Sequence, residues 1–187
     1  MSKTTRFRII QDTDPASPRE MDNLGTMVCF HGRYDLGDKH TLHTDDFDGW
    51  EEMERHLWKA CEGAVILPLY LYDHGGIALA TTPFSCPWDS GQVGFVYVTQ
   101  EKLDEYGMGG MEPGKVYQAL RVEVEEYNQY LSGDVWGYEI TDDDGDVESC
   151  WGFYGEEAAR NEVKALAPKA VELGEGESIC PHCGKYS

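Results

Sequence analysis

The sequence predicts an α+β protein with a mainly antiparallel sheet of about five to seven strands packed with about three helices. Three observations lead there. β-rich runs are joined in pairs by short turn-forming stretches, segments of helical period separate those pairs, and strands and helices do not alternate as in a doubly wound dinucleotide fold.

Residues 5–12 and 25–34 are β-rich, and Asp14, Pro15, Ala16, Ser17 and Pro18 between them favour turns, so two strands joined by an irregular loop are expected. Trp50, Met53, Leu57 and Ala60/Cys61 then recur at helical spacing, with Asp48 and Glu51 resembling a capping box, which predicts a helix over about 48–62 that Gly63 stops. The run from Ala64 to Tyr72 reads as a buried strand. The turn Asp73, His74, Gly75, Gly76 returns it into Ile77 to Thr82 as a hairpin. A further strand from Gln92 to Thr99 alternates through Val93, Phe95 and Tyr97. Helical character covers 100–106 and resumes from Pro113 through Val116, Leu120, Val124, Tyr127 and Leu131, with Gly133 as its stop. Two aromatic runs, 135–141 and 147–154, flank an Asp-Gly pair, a strong hairpin signal. A last helix is expected over about 156–172, acids first and lysines later, with Pro168 as its point of kinking. Residues 1–173 therefore read as a single α+β domain, and 174–187 as a linker with a Cys-x-x-Cys tail.

The apolar fraction of 41% over 187 residues can supply a sizeable core, so wholesale disorder is excluded. The net charge of −20 argues against a nucleic-acid groove or an anionic membrane as direct partner, because both need positive charge. No apolar run approaches the ~18 residues of a membrane span. Basic residues at the N-terminus are followed by no apolar stretch, so no secretory signal is read and a cytoplasmic address is expected. Cysteines 29, 61, 86, 150, 180 and 183 are too sparse for a disulfide scaffold and read as thiols or metal ligands.

The distribution of charge is the most informative feature. Between Val122 and Ala159 stand twelve carboxylates and no lysine or arginine, and Asp35 to Glu54 adds eight acids against Lys39 alone. A compact domain of this length has a diameter of about 40 Å, and duplex DNA of that length carries about 24 phosphate charges. Gathered on one face, the two blocks would present a field like a short duplex and compete for the positive groove of a nucleic-acid-handling protein. The candidate partner-binding residues are Glu123, Glu125, Glu126, Asp134, Glu139, Asp142, Asp143, Asp144, Asp146 and Glu148. The competing reading is solvation, since hairpin tips and first helical turns favour carboxylates for local reasons.

Cys180 and Cys183 in Cys-Pro-His-Cys-Gly have the spacing of half a zinc ribbon, so a structural zinc is a candidate cofactor. Completing the site would take scattered ligands such as Cys61, Cys150 or a histidine, or a second copy of the chain. His40, Thr41, Leu42, His43, Thr44, Asp45 and Asp46 form a polar loop without the helical His-x-x-x-His geometry. Asp142 to Asp146 is no EF-hand, because Gly145 at loop position six would put Ile140 at position one. Gly109 to Lys115 nearly spells a phosphate loop, but Val116 replaces the Mg²⁺-binding Ser/Thr and a helix precedes it. Cys29 and His31 share a face if 25–34 is a regular strand, but core packing is their more frequent role, as it is for Cys86 and Cys150 among their aromatic neighbours.

The segments Asp22 to Cys29, Ser85 to Phe95 (SCPWDSGQVGF) and Ser149 to Phe153 (SCWGF) resemble a family of short acidic proteins from phage and prokaryotic mobile elements. The resemblance spans about residues 12–165, excludes the Cys-x-x-Cys tail and carries no catalytic residues with it. It implies a small accessory protein acting on host defence. The expected function is therefore binding and inhibition of a host nucleic-acid-processing protein through a DNA-like carboxylate surface, with no catalysis. The alternatives are an enzyme with a cleft lined by Asp22, Asn23, Cys86, Trp88, Asp89 and Ser90, and a zinc-binding accessory or dimerisation module built on Cys180 and Cys183.

Overall fold

The structure, a computed structural model, describes residues 5–60, 65–142 and 144–174. It is an α+β protein with, among the described residues, four α-helices and two four-stranded sheets, where the sequence led us to expect one sheet. The chain divides into two compact units, the first drawn from Met1–Ala16 and Gly133–Ser187 and the second from Ser17–Ser132. No helix among the described residues is long and apolar enough to cross a membrane.

The first unit contains β1 (Arg6–Gln11), β6 (Val135–Thr141), β7 (Val147–Tyr154), α4 (Glu156–Leu166) and β8 (Val171–Glu172). Its strand order is β7-β6-β1-β8, antiparallel except for β1 with β8. Tyr138 and Ile140 of β6 pack with Val163 of α4 in a small core that Phe7, Ile9 and Phe153 extend. The hairpin bounds match the sequence reading because its turn is locally encoded: Asp142 Oδ1 accepts from the N–H groups of Asp144 (2.9 Å) and Asp146 (3.0 Å), and Gly145 takes φ 87°. Helix α4 is shorter than expected. Pro168 ends the helical stretch at Leu166 instead of kinking it, and the freed residues pair as β8. Arg160 ties the two together, reaching Glu156 at 2.6 Å and Glu172 at 2.7 Å.

The second unit contains β2 (Thr26–Cys29), α1 (Trp50–Ala60), β3 (Ile66–Asp73), β4 (Ile77–Ala80), β5 (Ser90–Tyr97), α2 (Gln100–Glu105) and α3 (Pro113–Ser132). The sheet order is β2-β5-β3-β4, all antiparallel. One face packs Met27, Leu67, Leu69, Leu71, Leu79 and Val96 with Val116, Leu120 and Val124 of α3. The other packs Val28 and Phe95 with Met53 and Leu57 of α1, the helical-period residues read from the sequence. Glu52, not Glu51, reaches back at the start of α1, accepting from Asp48 N–H at 2.6 Å. β1 and β2 are the two strands expected over 5–12 and 25–34, and each finds its partner far along the chain.

Two glycines of the resemblance motifs are structural. A Cβ on Gly94 would lie 1.9 Å from Val28 O, so only glycine lets β2 lie against β5 there. A Cβ on Gly25 would lie 2.6 Å from Leu120 and 2.8 Å from Val96.

Candidate functional site

The candidate carboxylates are divided between the two units. Glu123, Glu125 and Glu126 stand on α3 in the second unit, and the others belong to the first. Glu123 is turned inward: its carboxylate accepts from Leu24 N–H (2.6 Å) and Gly25 N–H (2.9 Å), and its side chain is 15% exposed. Arg19, 6% exposed, lies 3.6 Å from Glu123 and grips Asp38 with two nitrogens at 2.9 and 2.6 Å. Asp38 in turn accepts from Met27 N–H. This network fastens residues 17–27 to α3 and withdraws Glu123 and Asp38 from any binding surface. Burial, then the charge of Glu123, raises the carboxyl pKa of Glu126. Asp134 is also committed, accepting from Trp136 Nε1 at 2.6 Å.

Glu125 and Glu126 are exposed on α3, and the described acids of β6, β7 and their turn stand on the distal half of the hairpin. Asp144, Asp146 and Glu148 are exposed, Asp142 organises the turn beneath them, and Glu139 is half-buried on β6 opposite Ser149. Asp143 lies outside the described residues. Glu139 is three strand steps from Asp142, about 10 Å. Glu139, Asp142, Asp146 and Glu148 fall within that length, over which duplex DNA carries about six charges, and Asp144 stands in the turn beyond them. Arg8 and Arg6 of β1 stand opposite Glu139 and Thr141, so positive charge begins one strand further in.

Strand β7 lies at the edge of its sheet, and residues 147–152 are all exposed. Sequence reasoning placed Cys150 in a core; the edge position leaves it exposed instead. Trp151 is partly held, its ring lying across Gly137, where a Cβ would meet it at 2.3 Å.

The residues proposed to line an enzyme cleft are engaged in two sets of hydrogen bonds. Asn23 Nδ2 donates to Pro18 O and Met21 O, and Asp22 accepts from the Tyr106 hydroxyl, a bond that pushes the phenol up to about 12. Cys86 Sγ donates to Asp89 Oδ2 (3.4 Å), Ser90 Oγ donates to Cys86 O (2.5 Å), and Asp89 O receives Asp73 N–H (2.8 Å). These bonds close a loop that leaves Trp88 92% exposed. A cavity of about 540 Å³ borders Trp88, Asp89 and Ser90 together with Phe30, His31 and Arg33, but Cys86 is not in its lining. His74 Nδ1 meets the same Asp89 oxygen at 3.4 Å, so the carboxylate stands between thiol and imidazole. A thiol is activated by an imidazole beside it, and this order is the reverse.

Cys29 and His31 form no dyad. β2 ends at Cys29, whose thiol burial pushes up to about 12, with the Asp38 charge adding to it. His31 Nδ1 accepts instead from the N–H groups of Arg33 and Tyr34. His40 is structural too, Nε2 lying 3.0 Å from Cys29 O and the ring against Phe30. Among the described residues no group of three or more His, Cys, Asp and Glu is placed to hold a metal ion. Cys61, Cys180 and Cys183, on which the zinc reading rests, lie outside the described residues. Comparison with protein-family models, curated proteins and solved structures finds no match to this chain.

Proposed function

We propose that this chain is a non-catalytic binding protein whose β6–β7 hairpin engages a basic surface on a nucleic-acid-handling protein and competes there with the nucleic acid. The observation that carries this reading is the charge density of the hairpin: Glu139, Asp142, Asp146 and Glu148 on about 10 Å of strand with Asp144 in the turn beyond, against about six charges on that length of duplex DNA. Such a density steers association with a positive groove and makes it salt-sensitive. The surface is smaller than the sequence suggested, because Glu123, Asp38 and Asp134 serve the fold. The resemblance to proteins of phage and mobile elements favours a host defence protein as the target, which would put the encounter in the cytoplasm.

The test is capture on immobilised protein from host extract, with and without excess duplex DNA. The reading expects a nucleic-acid-binding protein that duplex DNA displaces and that an Asp144→Lys/Asp146→Lys/Glu148→Lys variant fails to retain. Equal retention by the variant would refute it.

A further inference from the structure

The exposed edge of β7 provides more than charge. Asp142 N–H donates to Asp146 O, which fixes the ladder phase of the hairpin. In an antiparallel pair, residues alternate between facing and turning away from the partner strand. Counting from the Asp142–Asp146 pair, Glu148 and Cys150 bond to β6, opposite Ile140 and Tyr138. Val147 and Ser149 therefore turn their backbone N–H and C=O groups outward, along an edge that no other strand among the described residues pairs. Their exposure matches: Val147 is 63% exposed, and nothing lies within 4 Å of where a Gly152 Cβ would stand.

The two faces beside this edge differ. On one stand Val147, Ser149 and Trp151, the tryptophan pre-positioned over Gly137 and 45% exposed. On the other stands Glu148, bordering a cavity of about 340 Å³ whose lining combines Ile140, Val147, Leu166 and Ala167 with Asp142 and Asp146. Such a lining suits a long side chain with an apolar stem and a cationic head.

From this geometry we propose that β7 accepts an extended segment of the partner as an added strand, one carrying Lys or Arg at alternate positions with apolar residues between them. Charge complementarity selects this occupant. A second copy of the chain would bring another −20 charge to the same edge, whereas a basic segment neutralises Asp142, Asp146 and Glu148. The SCWGF stretch, which the charge reading leaves unused, then has a role: Ser149 gives backbone pairing and Trp151 an anchor. The inference rests on the proposed basic partner and adds the mode of binding.

The test uses the whole protein and a seven-residue peptide of alternating Lys and Val, beside the same peptide N-methylated on the backbone amides that would face β7. The methylated peptide keeps its charges and loses its donors. Strand addition expects about tenfold weaker binding of the methylated form, and slowed hydrogen exchange at Val147 and Ser149 with the unmodified peptide only. Equal binding of both forms, salt-sensitive and without protection at Val147 and Ser149, overturns strand addition while the charge reading stands. No binding of either form overturns both. Protection of these amides that rises with protein concentration in the absence of peptide, together with a dimer in sedimentation, overturns the proposed occupant in favour of a second copy.

Discussion

Replacing Glu123 separates a structural carboxylate from a binding one. Its two oxygens accept from the amides of Leu24 and Gly25 at 2.6 and 2.9 Å, and Arg19 Nη1, which makes no hydrogen bond, has it as ion-pair partner at 3.6 Å. Glu123→Ala orphans two amides and removes one of two carboxylates facing a guanidinium that is 6% exposed. An orphaned buried donor costs about 1–3 kcal/mol, so the loss for the pair is set at about 3 kcal/mol, with Glu123→Gln, which keeps one acceptor oxygen, at about half of it. Urea unfolding followed by fluorescence reads this as a lowered midpoint at constant slope. Binding of the basic partner by the folded fraction should be unchanged. A stability change below about 0.5 kcal/mol, the scale of an ordinary surface substitution, would refute the assignment, as would loss of partner affinity in the folded protein.

Other consequences follow from single contacts. Gly94→Ala drives a methyl into Val28 O and should destabilise the chain by about 3 kcal/mol in the same assay; a neutral result would contradict the β2–β5 register. With a thiol reagent at about pH 8, peptide mapping should find Cys150 labelled in the native protein and Cys29 only after unfolding, since Cys150 is exposed and Cys29 is buried with its thiol pushed up to about 12. The raised pKa of Glu126 means that the folded protein binds this proton more tightly than the unfolded chain, so stability falls as pH rises from the unfolded value through the raised one. Glu126→Gln removes that fall and should gain on the wild type as pH increases, the gain vanishing at low pH; parallel curves at every pH would count against it.

Legibility followed the range of the interaction. The β6–β7 hairpin was readable to the residue because Asp142 and Gly145 encode the turn themselves, and α3 was readable from Pro113 and its apolar period. The assignment of β1 and β2 to different sheets was not readable, since Ile9 meets Tyr138 and Val28 meets Phe95 across long stretches of chain. The same holds for the candidate site. The run of acids places several carboxylates on the β6–β7 hairpin, but nothing near Glu123 announces that residues 24 and 25, some hundred positions earlier, will claim it. Cys150 resembled a core thiol because its neighbours are aromatic; its exposure depends on β7 being an edge, which is a property of strand order. Nothing local marks Gly25 and Gly94 among the other glycines; the packing of Leu120 and the approach of Val28 are what require them.

The most direct measurement is the salt dependence of affinity for the captured partner, compared between the wild type and an Asp144→Asn/Asp146→Asn/Glu148→Gln variant. Neutralising charges that contact a basic groove lowers affinity and flattens the slope, so between about 50 and 200 mM salt the wild type should weaken by at least tenfold and the variant by clearly less, from a lower starting affinity. Identical affinities and slopes for the two proteins would contradict the hairpin as the binding surface.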